Sequence, residues 1–308
     1  MSRLVAAANR LPAPVREPLR RGRWALDSLG LPRLRWWTKL RTVRGYGIGL
    51  RNRQALAYVL VDPELSNFTY DLANRDELTA FVAEALEIAP ESVKGCLREA
   101  DEDTELVERL QKRLRRRYDR KNRPLFGRRL GWYAIARILK PSLIVETGIH
   151  DGLGSALLLR AIERNEAEGS PGRLISVDIN PQSGWLVDER LRTHWTPVFG
   201  STFDVLEGAV DGSEVGMIIH DSQHTYECER FEFATALAHA APSVALVSDN
   251  AHTTSALRDV CAELGIEYKF FRERPSGHFY PGAGIGFGLF STETHEPART
   301  RGCSRAVE

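Results

Sequence analysis

The 308-residue sequence is 43% hydrophobic and 27% charged, with a net charge of +1. That balance supplies a core of ordinary size and excludes wholesale disorder. No run approaches the roughly 20 apolar residues of a membrane span. The charge is unevenly spread: residues 1–55 carry +11 and residues 112–129 carry +9, which leaves −19 on the remainder. A basic front therefore meets an acidic second half. Solvated helix faces and internal charge complementarity explain this, and so does contact with an anionic surface such as a membrane face. Nucleic acid is not expected, because no recognised binding motif accompanies the charge. The four cysteines (Cys96, Cys228, Cys261, Cys303) fit no metal spacing, which points to a reduced, cytoplasmic setting. Arginine outnumbers lysine 36 to 6 throughout, so the arginines of the first 25 residues do not mark a transit peptide, and the bias hints at a GC-rich bacterial genome. Leu4 to Ala8 is too short for the apolar core of a secretory signal.

In chain order, residues 1–45 mix Pro, Arg and Trp (Trp24, Trp36, Trp37) without clear periodicity. The tryptophans beside Arg35, Lys39 and Arg41 suit a lipid surface or packing on the parent domain or a partner subunit. Residues 54–62 are apolar and read as a strand or a short helix. Asn74-x-x-Glu77 resembles a capping box opening a helix to about Ile88. Pro90 falls just inside the next helix, and Leu106, Leu110 and Leu114 mark a third. Residues 1–130 are thus expected to form a mainly helical, basic N-terminal region. Lacking an obvious core of its own, such a region often packs across a dimer, so a homo-oligomer is expected.

From Gly131 the pattern alternates. A helix leads into the strand Leu143–Thr147, and a helix follows at 153–166. Strands are expected at Arg173–Asp178, Thr196–Gly200, Val215–His220 and Val244–Ser248, with helices at 226–240 and 253–264. Ile266–Phe271 and Gly284–Phe290 have no long helix between them and should form an antiparallel hairpin. The fold class is therefore α/β: a doubly wound, mostly parallel, seven-stranded Rossmann-like sheet with a closing antiparallel hairpin. It spans 131–291 and leaves a loose tail at 292–308.

The chemistry gathers at the strand ends. Leu143-Ile-Val-Glu-Thr-Gly-Ile-His-Asp-Gly-Leu-Gly-Ser155 reads as a buried strand, a tight turn and a helix start. Gly148 and Gly152 let backbone approach a ligand there. The spacing is not G-x-G-x-x-G, which argues against a nicotinamide enzyme. Glu146, Asp178, Asp221 and Asp249-Asn250 each end a strand, and in a parallel sheet those ends share one edge. Any one of them suits a helix cap; four together point to a cleft. Asp178, one βαβ unit after Glu146, stands where a ribose diol would lie, or else caps the turn before Asn180-Pro181.

At these residues the chain resembles the class I S-adenosylmethionine-dependent methyltransferases, over about residues 130–291. Glu146-Thr-Gly-x-x-x-Gly152-x-Gly-Ser155 matches the first cofactor motif, Asp178 the second, and Gly200-Ser201 the adenine-contact position. The resemblance implies that Glu146, Thr147, Gly148, Gly152, Ser155, Asp178 and Ser201 bind S-adenosyl-L-methionine. Asp221-Ser-Gln-His-Thr-Tyr-Glu227 is similar to the Asp-x-Asp-His-Ser-Tyr-Glu segment of bacterial, macrocin-type sugar O-methyltransferases. Asp249-Asn250 is similar to the acidic pair of metal-dependent members. Asp221, Asp249 and Asn250 would then hold Mg²⁺, which lowers the pKa of a bound hydroxyl. The second Asp of that segment, a proposed base in some members, is Gln223 here, which takes no proton. His224 is the nearest candidate base, with His252 and His220 behind it, although a structural hydrogen bond suits His224 equally. His278, Phe279 and Tyr280 are candidates for lining the pocket of a hydroxylated small-molecule acceptor. The expected function is Mg²⁺-assisted O-methyl transfer. A non-catalytic binding protein and a related metal-dependent hydroxylase are the alternatives.

Overall fold

The computed structural model describes residues 32–60, 69–118 and 123–292. Expectations placed on Trp24, residues 61–62 and 67–68, Lys121, Cys303 and the tail beyond Thr292 lie outside them.

Six helices precede the large sheet in the described chain: α1 (Pro32–Gly45), α2 (Arg53–Leu60), α3 (Arg75–Ala85), α4 (Pro90–Asp101), α5 (Thr104–Tyr118) and α6 (Arg129–Leu139). The ambiguous apolar run resolves as α2, because Ala55, Tyr58 and Val59 are its buried residues and their spacing of three and four is helical. Pro90 occupies the start of α4, where its missing N–H costs nothing. Leu106, Val107, Leu110 and Leu114 of α5 are buried along one stripe.

The capping box at Asn74 differs from expectation. Asn74 stands at the N-cap of α3 but makes no side-chain cap bond. Its carboxamide instead donates to Glu77 and to the Arg272 carbonyl, both at 2.9 Å, and accepts from the Arg274 N–H. A sequence-local signal is thereby spent on a contact 200 residues away.

The seven-stranded sheet comprises β2 (Leu143–Thr147), β3 (Arg173–Asp178), β4 (Trp195–Phe199), β5 (Val215–His220), β6 (Ala240–Asp249), β7 (Lys269–Arg272) and β9 (Gly284–Ser291), ordered β4-β3-β2-β5-β6-β9-β7. Pairing is parallel from β4 through β6, and β9 runs antiparallel between β6 and β7. Helices α7 (Leu153–Ala167), α8 (Thr202–Val210), α9 (Tyr226–Ala238) and α10 (Ala256–Leu264) lie in the connections after β2, β4, β5 and β6, and a short 3-10 turn (Leu191–His194) joins β3 to β4. The period-2 alternation of a strand divides the core. Ile144, Leu174, Ile219, Val247 and Ile285 face one cluster with α6, α7 and the N-terminal helices. Leu143, Val145, Ile175, Ile218 and Leu246 face another with α8, α9 and α10.

The N-terminal region is therefore one covering layer of its own sheet. Val43, Tyr58, Leu78, Leu106 and Trp132 share a continuous core with Phe287. A second, two-stranded sheet fastens it further: β1 (Asp71–Leu72) pairs antiparallel with β8 (Pro275–Ser276), which lies between β7 and β9. Among the described residues no helix is long and apolar enough to cross a membrane.

Candidate functional site

Strand β2 lies between β3 and β5, and the chain leaves it in opposite directions on its two sides. The loop following β2 thus sits at the topological switch point, where doubly wound sheets bind ligands. It is anchored on both flanks: the Gly148 N–H donates to Val177 O at 2.7 Å, and the Asp221 N–H donates to Thr147 O at 2.8 Å. Gly148 has φ +90°, and a Cβ there would lie 2.1 Å from the Asp221 carbonyl oxygen. Gly152 has φ +88°, and its Cβ would lie 2.8 Å from Gly184 Cα. These glycines permit backbone-on-backbone packing at positive φ.

The acids and hydroxyls around this loop divide by exposure. Glu146 is buried and accepts from Ser155 Oγ at 2.6 Å and Ser176 Oγ at 2.7 Å, while Trp195 Nε1 donates to Ser176 Oγ at 2.9 Å. This chain of bonds ties β2, β3, β4 and α7 together. Burial pushes the Glu146 carboxyl up to about 7 against the pull of the two serines. Thr147 is also buried and donates to Glu232 at 2.5 Å. The side chains of Glu146, Thr147 and Ser155 therefore support the loop from beneath. Asp178 lies nearer the surface. Its Oδ2 accepts from the Ile149 and His150 N–H groups, each at 2.9 Å, and its Oδ1 from Asn180 N–H at 2.8 Å. Ser201 heads α8 without making a side-chain cap bond. It is brought beside Asp178 by the bond from Gly200 N–H to Asp178 O at 3.0 Å. Ile179 and Phe199 remain exposed next to both.

The other half of the edge lies over β5 and β6. Asp221 and Asp249 come near enough here for each to feel the other's charge. Burial first, and then the charge of Asp249, raises the Asp221 carboxyl well above the usual range. Asp249 stays below its usual value despite burial, because Arg128 holds it charged. That arginine was not expected. It heads α6, is itself buried, and forks onto Asp249 through Nε to Oδ1 and Nη2 to Oδ2, each at 2.5 Å. Its Nη1 donates to Tyr70 Oη at 2.6 Å and Glu273 Oε1 at 3.1 Å. Tyr70 Oη in turn donates to Glu273 Oε2 at 2.8 Å. In the sequence Arg128 was one basic residue in a run of them, and nothing local marks it as buried.

Asn250 adopts φ +56° and directs its amide nitrogen to Asp249 Oδ2 and to His224 Nε2, both at 2.9 Å. Its Oδ1 faces Tyr280 Oη at 3.4 Å. His224 Nε2 lies 3.7 Å from Asp221 Oδ1, and its Nδ1 is buried without a hydrogen-bond partner. Burial drives the His224 imidazole down to about 4, so it is neutral at ordinary pH. His220 lies deeper, with Nδ1 2.5 Å from Glu232 Oε2. His252 is exposed. The candidate acceptor residues form a wall with the N-terminal region: Phe279 meets Tyr58 at 4.4 Å between ring centroids, Tyr280 meets Tyr46 at 5.2 Å and Tyr70 at 5.7 Å, and His278 meets Tyr70 at 5.4 Å.

Residues 145–251 match a family model described as "Methyltransferase domain". The match begins within β2 and ends just after β6, so it takes in both halves of the strand-end cleft. No curated protein matches the chain. Similar solved structures include the O-methyltransferase TomG from Streptomyces achromogenes in complex with SAM, at 16% identity over 62% of this chain and 91% of that one, TM-score 0.46. An O-methyltransferase from Bacillus cereus in complex with SAH is 13% identical over 69% and 96%, TM-score 0.41. A methyltransferase from Geobacter sulfurreducens is 15% identical over 61% and 90%, TM-score 0.43.

Within the matched span, the oxygens expected to hold Mg²⁺ are poorly disposed for it. Both oxygens of Asp249 receive N–H donors, and the oxygen of Asn250 is turned to Tyr280 while its nitrogen faces Asp249. Among the described residues no group of three His, Cys, Asp or Glu side chains is arranged to hold a metal ion. Asp221, Asp249 and Asn250 lie at one edge of the sheet, where Asp249 is engaged by the Arg128 guanidinium and Asn250 donates to Asp249.

Proposed function

We propose that this chain is an S-adenosylmethionine-dependent O-methyltransferase acting on a hydroxyl group of a small molecule. The observation that carries this reading is the placement of the Gly148–Gly152 loop and Asp178 at the switch point of a sheet closed by an antiparallel β9, within the span that matches the methyltransferase family model. The adenosine end would lie across β3 and β4. There Ile179 and Phe199 offer exposed apolar surface. Asp178 uses three of the roughly four acceptor sites of a carboxylate on backbone N–H groups, which fixes its orientation and leaves capacity for a ribose hydroxyl. The Ser201 hydroxyl, not engaged as a cap, is placed for a polar contact at the same end.

When bound, the cofactor supplies a methyl group already activated on a sulfonium. The protein's task is then to align an oxygen with that carbon and to accept the proton the oxygen sheds. Tyr46, Tyr70 and Tyr280 form the wall against which an acceptor would pack, beside Asn250 and His224. A methylated hydroxyl is a far stronger acid than an imidazolium. An imidazole lowered to about 4 is therefore basic enough to take the proton late in transfer. The activity should rise with pH through about 4 and stay flat through 6.5, where an unperturbed histidine would titrate.

Calorimetric titration of the full chain with S-adenosylmethionine and with its demethylated product tests the cofactor assignment. One site per chain is expected, weakened in Asp178→Ala without loss of fold. Absence of binding to either compound would sink the proposal. No feature of the site favours the regulatory or hydroxylase alternatives.

A further inference from the structure

A cation already sits among the strand-end acids. Arg128 heads α6, reaches the carboxyl edge of β6, and engages all three of its guanidinium nitrogens with protein acceptors. Its fork on Asp249 is the planar, two-bond geometry that a guanidinium makes with a carboxylate. Both partners are buried, with side-chain exposures of 8% for Arg128 and 0% for Asp249, and Glu273 is equally enclosed. Asn250 completes the arrangement by donating to the oxygen of Asp249 that also receives Nη2.

We propose that the Arg128 guanidinium occupies the place of a divalent cation at the β5–β6 edge, so that Asp249 anchors an arginine in this protein and methyl transfer proceeds without a bound metal. The inference rests on the methyltransferase reading of the cleft. Three features of the geometry support it. A hard divalent ion needs several oxygens converging at about 2.0–2.1 Å for Mg²⁺, and Asp249 presents its oxygens to Arg128 instead. A dication next to a buried guanidinium would meet a like charge where screening by water is weakest. The arginine is also held from behind by Tyr70 and Glu273, and Glu273 is fixed by the Ala283 N–H at 2.7 Å. These contacts pin the guanidinium from the side opposite Asp249, so it is not a mobile side chain that a metal could displace. One consequence concerns the substrate. An acceptor need not be a vicinal diol able to chelate, and a single hydroxyl presented along the tyrosine wall suffices.

The test is a titration of the full chain with Mn²⁺, followed by water-proton relaxation, with Mg²⁺ as competitor. The wild-type protein is expected to show no one-to-one site, and EDTA to leave methyl transfer unchanged. Arg128→Met removes the charge at similar length and should gain one Mn²⁺ per chain, lost again in Arg128→Met/Asp249→Asn. Uptake of one Mn²⁺ by the wild-type protein that Asp249→Asn abolishes would overturn the proposal. A folded Arg128→Met that still takes up no Mn²⁺ overturns it too, since the vacated carboxylates would then be no cation site. Should Arg128→Met fail to fold, the wild-type and Asp249→Asn titrations decide alone. Calorimetry with S-adenosylmethionine on the same samples separates the two levels. Loss of cofactor binding in the wild type would remove the methyltransferase reading and leave the Mn²⁺ result standing.

Discussion

The two halves of the strand-end cleft are built in opposite ways. The glycine-turn half draws Glu146, Gly148, Ser155, Asp178 and Ser201 from 56 consecutive residues, spanning the β2–α7–β3 crossover and the link from β3 to β4. Its polar contacts run mostly between neighbouring strands and the loops that follow them. The arginine half draws Tyr70, Arg128, Asp249, Glu273 and Tyr280 from across the chain. Its key bonds join residues 121 and 145 positions apart. The first half depends on backbone fit, while the second depends on a buried charge network that exists only once the N-terminal helices have docked.

That contrast can be broken from either side. The largest effect is expected from Arg128→Ala, which leaves Asp249 and Glu273 buried without their counter-charge. Urea denaturation should register a loss of about 4 kcal/mol, the scale for removing one partner of a buried pair. On the glycine-turn side, Gly148→Ala places a methyl against the Asp221 carbonyl at a positive φ. About 3 kcal/mol of destabilisation is expected, together with loss of S-adenosylmethionine binding. A fully stable Gly148→Ala protein would show that the loop is looser than its contacts imply.

The two halves also titrate in opposite senses. Glu146 is raised from 4.5 to about 7, so its contribution is fully present below pH 4.5 and is lost as pH rises through 7. His224 is lowered from 6.5 to about 4, so its contribution is present above pH 6.5 and is lost as pH falls through 4. Each shift corresponds to up to about 3 kcal/mol, and between pH 4.5 and 6.5 the two slopes oppose one another. Glu146→Gln should therefore make stability rise more steeply with pH across that window than in the wild type. His224→Gln should do the reverse. Equal pH profiles for the wild type and both variants would contradict these environments. The smallest change sharpens the arginine half alone. Tyr70→Phe removes one donor to Glu273 and one acceptor for Arg128, and should cost about 1–2 kcal/mol without altering cofactor affinity.

Legibility in the sequence follows the same division. Strand ends at Asp178 and His220 and the helix start at Leu153 were readable, because a buried parallel strand, a glycine turn and an amphipathic helix each leave a local pattern. The role of Glu146 was only half readable: its position at the end of β2 was plain, but its place beneath the loop, bonded to Ser155 and Ser176, depends on which face of the strand it takes. Asn74 had the look of a capping residue, yet the hairpin at Arg272–Arg274 claimed its side chain. Arg128 carried no signal at all, because a buried arginine and a solvated one look alike within a basic run.

The sequence by itself determined the alternation of strands and helices, the closing β9 and the gathering of acids along one edge. These follow from hydrophobic periodicity and from the rule that parallel strands end on the same side. Only the tertiary structure decided what those acids face. Docking of α6 beside the sheet carries a guanidinium into the carboxylates of β6 and the β7–β9 connection, and burial there makes the pairing obligatory: none of the three charges is stable away from water without the others.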